Sequence, residues 1–252
     1  MFTETVSCLQ LIDIDKLRFH EEREVSRLDK LIKKLNDCQH LNNPPLAIAL
    51  KDDYFLVIDG AHRVAALDRM GCRRVPVQVV KLDQLQLDFW NHEIPNGYWI
   101  EKIQKEKRVS FEGGKNFSHY LCSISYSKGQ QIEVYSQSED KFLSDWNYIV
   151  KSYSEEYSVN RLASWNTQLI NKENVIVKFK PISLEFIKQI VINNGILPAG
   201  VTRFNIKGRL LNLRIPLGLL FNDILDVKLW NDLNNNWVNN LRFYEDTVYI
   251  YE

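Results

Sequence analysis

Short apolar runs, separated by polar, glycine or proline breaks, set the pattern of this chain. Residues 7–13 (SCLQLID) read as a strand, followed by a turn through Asp15 and Lys16. From Glu24 to Asn36, the residues Val25, Leu28, Leu31, Ile32 and Leu35 recur at the i, i+3, i+4, i+7 spacing of an amphipathic helix. Asn42-Asn43-Pro44-Pro45 breaks that pattern, because proline holds the residue before it in extended conformations. LAIAL (46–50) and YFLVI (54–58) predict two short strands around Lys51-Asp52-Asp53. Asp59-Gly60-Ala61-His62-Arg63 then leads into the helical VAALDRM (64–70), which Gly71 is placed to end in a left-handed conformation. VPVQVV (75–80) adds another strand. This first block is a compact α/β unit.

Further along, residues 83–106 read as helical, with Trp90 and Trp99 on either side of a Pro95-Asn96-Gly97 turn. The charged stretch 102–108 and the glycines Gly113-Gly114 suggest a boundary, giving domains 1–108 and 109–252. The second domain mixes strands (120–126, 131–135, 174–179, 241–251) with helices (138–152, 157–169, 183–193). The asparagine-rich stretch 231–240 reads as a polar helix end or loop. The chain shows no internal repeat.

Composition narrows the class. The chain is 45% hydrophobic and 25% charged, which excludes a disordered chain, a coiled coil and a collagen-like repeat. Lys+Arg and Asp+Glu each total 32, so there is no basic surplus of the kind non-specific nucleic-acid binding needs. Cys8, Cys38, Cys72 and Cys122 form no CxxC or CxH pair, which argues against structural zinc and disulfides and suits a reducing cytosol. The first residues lack the basic-then-apolar form of a signal peptide, and no apolar run approaches the roughly 18 residues of a membrane span. The expectation is a soluble cytoplasmic protein.

The segment VIDGAHRVAAL carries the most local chemistry. A strand ends on an acid, glycine permits a tight turn, and a helix begins with His62 and Arg63 in its first turn. Cations are unfavourable at the positive end of a helix unless an anion offsets them, so this placement suggests a phosphate site. The plainer alternative is that Asp59 caps the helix and Arg63 lies in solvent. Neither GxxxxGK[ST] nor GxGxxG is present.

The arrangement strand–turn–strand, DG-x-HR opening a helix, then GC-x-x-VPV resembles the ParB/sulfiredoxin fold. Its branches differ in detail. Sulfiredoxins carry a nucleophilic cysteine where this chain has Ala61, and partition-type ParB proteins carry G-E-R-R where this chain has G-A-H-R. The free L-serine kinases carry D-G-x-H-R. The chain resembles that branch also at His20, Glu21, Glu24, Arg27 and Leu28, and at W-x-H-x-x-P-x-G-x-W from Trp90 to Trp99. Further matches are S-Y-S-x-x-x-S-V-x-R from Ser152 and PAGVTRFNIKGRLLNLRIPLGLL (198–220).

The resemblance implies fold class α/β (α+β), with a ParB/sulfiredoxin-like N-terminal domain and a second mixed α/β C-terminal domain. It implies transfer of the γ-phosphate of ATP to free L-serine, with Mg²⁺. The branch's siderophore members make O-phospho-L-serine for 2,3-diaminopropionate synthesis, so a phosphoserine-using siderophore enzyme would act next; archaeal relatives use ADP as donor. Glu21 matches the catalytic glutamate, although Glu21, Glu22 and Glu24 taken alone read as a solvated helix start. Asp59 would share the base role or hold Mg²⁺, and Gly60, Ala61, His62 and Arg63 would hold the nucleotide. Thr202 and Arg203 would hold the serine carboxylate, Trp90 and His92 would close the pocket, and Arg209 is a weaker candidate. The alternative function is a ParB-like DNA-binding regulator of a siderophore operon, with the nucleotide as its switch.

Overall fold

Local pairing builds the first part of the molecule much as its apolar runs suggest. The computed structural model describes residues 6–23, 26–111, 119–166 and 171–243. Its strands are β1 (Leu9–Asp13), β2 (Leu17–Phe19), β3 (His40–Leu41), β4 (Leu46–Ala49), β5 (Phe55–Asp59) and β6 (Arg74–Val79). Helix α1 spans Ser26–Cys38 and helix α2 spans Ala61–Arg69. The sheet order is β1-β6-β4-β5-β2, with β4 antiparallel to β5 and parallel to β6. Ala47 and Ile48 of β4, and Leu56 and Val57 of β5, are all buried, so neighbouring residues on these two central strands face apolar packing on opposite sides. Gly71 ends α2 with φ +83°, as expected of a glycine at that place.

Residue contacts group the chain into two compact units, neither continuous in sequence. The first comprises Met1–Leu17, Val25–Gln84 and Lys207–Glu252; the second comprises Arg18–Glu24 and Leu85–Ile206. The single cut expected at residue 108 therefore differs from the observed grouping.

The second unit contains β7 (Leu85–Pro95), α3 (Tyr98–Lys105), β8 (His119–Tyr126), β9 (Gln131–Ser136) and α4 (Phe142–Ser154). These are followed by β10 (Asn160–Ala163), β11 (Asn174–Phe179), α5 (Leu184–Ile192) and β12 (Thr202–Ile206). The sheet runs β10-β7-β11-β8-β9, with β12 also on β7. Residues 85–95, expected to be helical, are a strand. Their backbone groups pair with β12 along Leu85–Phe89 and with β10 and β11 along Trp90–Pro95, so distant partners override the local helical reading. The same cause makes Asn160–Ala163 a strand within the helix expected at 157–169. Trp146, Ile149, Val150 and Tyr153 of α4 are buried at helical spacing, as the pattern there predicts.

The chain then returns to the first unit with β13 (Ile215–Pro216), α6 (Gly218–Phe221) and α7 (Val227–Asn240). The asparagine-rich stretch lies inside α7, which is anchored by buried Trp237, whose Nε1 donates to the Leu213 carbonyl at 3.0 Å. No described helix is long and apolar enough to cross a membrane. Expectations for Glu24, Gly113, Gly114, residues 167–169 and the part of the strand 241–251 past residue 243 lie outside the described residues.

Candidate active site

Two polar constellations stand out, one in each unit. In the first unit, β5 ends on Asp59 and Gly60 turns the chain with φ +84° into α2. The positive φ favours glycine at this position, and a Cβ there, 2.8 Å from Arg63 Nη2, would push the guanidinium aside. Arg63 is not in solvent: it donates to the carbonyls of Asn43 at 2.6 Å and Pro44 at 3.2 Å, and to Asp59 Oδ2 at 3.1 Å. Nor does a side chain cap the helix start. Instead Asp59 Oδ2 accepts a second guanidinium, from Arg209 Nη2 at 2.6 Å.

Burial alone would raise the Asp59 pKa, but Arg63, Arg209 and the Gly60 amide outweigh it and hold the carboxyl below its ordinary value. Asp59 is therefore an anion at neutral pH. Two guanidiniums against one carboxylate leave a surplus positive charge beside the first turn of α2, from Ala61 to Arg63. The amide ends of such a turn add to the attraction for an anion. Asn43, Pro44, Leu46, Leu210 and Leu211 complete a small cavity around this charge. Arg209, ranked last from sequence and on the amino-acid side, thus belongs with the nucleotide candidates. No local signal could have shown it, since its partner is 150 residues away.

In the second unit, Glu21 lies in an extended segment rather than at a helix start. Its backbone forms a parallel bridge with Leu197, with Leu197 N–H donating to the His20 carbonyl at 2.7 Å and Glu22 N–H to the Leu197 carbonyl at 2.9 Å. The Glu21 carboxylate is cradled by the loop before β12. Oε2 accepts from Gly200 N–H at 2.7 Å; Oε1 accepts from Thr202 N–H at 2.6 Å and from the Thr202 hydroxyl in a short hydrogen bond. With its proton given to Glu21, the Thr202 oxygen can accept from His20 Nε2, 2.8 Å away. Gly200 has φ +73°, and this left-handed turn sets the spacing of the two amides.

Trp90, His92, Thr202 and Arg203 also lie in this unit. Arg203 stands opposite Asp88 in the β12–β7 register, with its Nη1 3.7 Å from Asp88 Oδ2 and its guanidinium carbon 4.7 Å from the Trp90 ring centroid. His92 is only 1% exposed, so the structure places it beneath the Gly200 loop, not at a pocket mouth. Its Nε2 lies 2.8 Å from the Gly200 carbonyl and must donate, so Nδ1 accepts from the Tyr153 hydroxyl at 2.7 Å. This fixes a neutral tautomer. Burial, opposed by the Gly200 hydrogen bond and aided by the Arg161 charge, pushes the pKa down from 6.5 to about 4.

That shift predicts an acid-linked loss of stability. Between pH 6.5 and about 4 the unfolded chain protonates His92 and the folded chain does not, so stability falls as pH falls through that window. The expected contribution is about 3 kcal/mol across the window. Urea unfolding at pH 7.5 and 4.5 should show a steeper loss for the wild type than for His92→Gln, which can keep both hydrogen bonds without titrating. Equal slopes would refute the assignment.

No protein-family model matches the chain. The chain is 32% identical over 246 residues, 97% of both chains, to the ATP-dependent L-serine kinase SbnI of Staphylococcus aureus. It is 24% identical over 107 residues to the ADP-dependent L-serine kinase SerK of Thermococcus kodakarensis, covering 38% of this chain and 41% of that one. Among solved structures, C-terminally truncated SbnI from Staphylococcus aureus superposes with a TM-score of 0.80 at 32% identity, covering 92% of this chain and 97% of the other. A free serine kinase in complex with AMP has a TM-score of 0.69 at 16% identity, covering 84% and 93%, a likeness of fold.

Proposed function

Since this chain belongs to the family of ATP-dependent L-serine kinases, we propose that it transfers the terminal phosphoryl group of ATP to the hydroxyl of free L-serine, yielding O-phospho-L-serine and ADP. The observation that carries this reading is the Glu21 carboxylate, held by the Gly200 and Thr202 donors on a loop of fixed geometry. Oε2 takes one of those bonds and keeps a lone-pair site, and the side chain is 18% exposed, so a small alcohol can reach it. Glu21 orients the serine hydroxyl and takes its proton as the oxygen–phosphorus bond forms. The bond from the terminal phosphorus to the bridging oxygen breaks, and ADP leaves with that electron pair. Phosphoryl transfer has a loose transition state, so orientation and charge neutralisation matter more than base strength.

In the first unit, Arg63, Arg209 and the Gly60–Arg63 turn hold the phosphates. Asp59 is the residue that would hold Mg²⁺. Among the described residues no cluster of three or more His, Cys, Asp or Glu could bind a metal. One carboxylate suffices, however, because Mg²⁺ is commonly held by one or two carboxylates plus substrate phosphates. Bound there, the ion neutralises phosphate charge. In the second unit, Trp90 with Arg203 stacked on it walls the serine side, while Thr202 and His92 position Glu21 and the Gly200 loop. The family likeness further supports a siderophore-related use of the product, as a precursor of 2,3-diaminopropionate consumed by a phosphoserine-using enzyme.

The test is product analysis by mass spectrometry after incubation with L-serine, Mg²⁺ and either ATP or ADP. Phosphoserine should form with ATP and be abolished by chelating the metal. Absence of phosphoserine with both donors would refute the reading.

A further inference from the structure

Gln78 is the one polar side chain in the strand run VPVQVV (75–80), and it is only 4% exposed. A buried amide costs free energy unless its hydrogen bonds are made. Here they are: Nε2 donates to the Gly208 carbonyl at 2.8 Å, and Oε1 accepts from the Leu210 N–H at 2.9 Å. A carbonyl can only accept and an N–H can only donate, so these partners fix which way the amide faces. They are the backbone groups on either side of Arg209.

Arg209 lies in a stretch, 207–214, without regular secondary structure. The stretch is tied near its ends by Lys207 N–H to the Gln84 carbonyl at 3.3 Å and by Asn212 N–H to Asn43 Oδ1 at 2.9 Å. Gln78 grips it between those ties. Across the sheet, Gln78 stands opposite Leu46 of β4, and Leu46 stands opposite Asp59 of β5. Arg209 is held at the Gln78 end of this row and reaches the Asp59 end, where its Nη2 donates at 2.6 Å. Leu46, Asp59, Arg209 and Leu210 line the same small cavity.

We propose that Gln78 is a positioning residue for the phosphate site: its amide fixes the backbone on both sides of Arg209, so that the guanidinium is aimed before the nucleotide arrives. The assignment rests on the nucleotide reading of Arg209 given above. Ordering a long, rotamer-rich side chain on binding costs affinity, and a chain already ordered avoids that cost. Asp59 holds the tip of Arg209 while Gln78 holds its base. An apolar residue at 78 would take the partner from both backbone groups and leave the base free to shift.

The experiment is a double-mutant cycle. Calorimetry measures Mg-ATP binding for the wild type, Gln78→Met, Arg209→Ala and the double variant, beside thermal melts and the KM for serine at saturating ATP. Gln78→Met should weaken ATP binding roughly three- to tenfold, the cost of ordering one freed arginine, with the serine KM within twofold of the wild type. In the Arg209→Ala background the same substitution should change ATP affinity less than twofold, because no guanidinium remains to be aimed. Losses that multiply in the double variant would overturn the assignment, as would a folded Gln78→Met with wild-type ATP affinity. If Gln78→Met does not fold, Gln78→Glu, which keeps the acceptor for Leu210 N–H, takes its place in the cycle. If neither folds, Gln78 serves the sheet alone and the assignment falls. Full ATP affinity in Arg209→Ala would sink the nucleotide reading of Arg209 itself; a loss there with none in Gln78→Met sinks only this proposal.

Discussion

Glu21→Gln is expected to slow phosphorylation of serine about a thousandfold, in the middle of the range for losing a general base. Affinity for ATP should stay within a few-fold, because Arg63 and Arg209, the groups proposed to hold the phosphates, belong to the other unit. The variant preserves shape but not acceptor count. If the amide oxygen keeps the two Thr202 bonds, its NH₂ must face the Gly200 N–H that Oε2 now satisfies. That mismatch costs about 1–3 kcal/mol and should appear as a lowered melting temperature. Glu21→Ala leaves all three donors without this acceptor and should be less stable still. Single-turnover kinetics with calorimetry for ATP separates the outcomes. Weakened ATP binding with intact chemistry in the bound state would make Glu21 a nucleotide residue.

Arg63→Ala and Arg209→Ala should each weaken ATP binding roughly ten- to a hundredfold, the usual cost of losing a charge-assisted hydrogen bond. They should differ in stability. Arg63 ties the Asn43–Pro44 turn to the start of α2 through two carbonyls, so its removal leaves those acceptors unsatisfied and should lower the melting temperature by several degrees. Arg209 is 40% exposed and makes a hydrogen bond to Asp59, so its loss should leave stability nearly unchanged. Thermal melts beside ATP titrations of both variants give the comparison. Full ATP affinity in Arg209→Ala would remove Arg209 from the phosphate site and make its bond to Asp59 purely structural.

Much of the first unit is legible without coordinates. LAIAL and YFLVI pair as neighbouring antiparallel strands, and the acid–glycine junction opens a helix, because each depends on residues a few positions apart. The local pattern failed at Leu85–Pro95. Its apolar residues fit a helix on paper, but three partner strands supply its hydrogen bonds, and all three lie more than sixty residues further along. Glu21 was legible only through family likeness; as one of several neighbouring acids it carries no signal of its own.

What the sequence by itself determined are the features set within one turn or one hairpin. The left-handed glycines Gly60 and Gly71, the amphipathic α1 and the cationic start of α2 belong here, since φ preference and hydrophobic spacing act locally. Which charge meets which was decided only by the tertiary structure. Glu21 finds its donors 179 and 181 residues away, and Asp59 finds Arg209 at a distance of 150. Arg161 meets Gly200 because β10 and the loop before β12 both pack along β7. A hydrogen bond or ion pair requires its partners within a few ångströms, and over such separations only the assembled sheets and their loops hold them there.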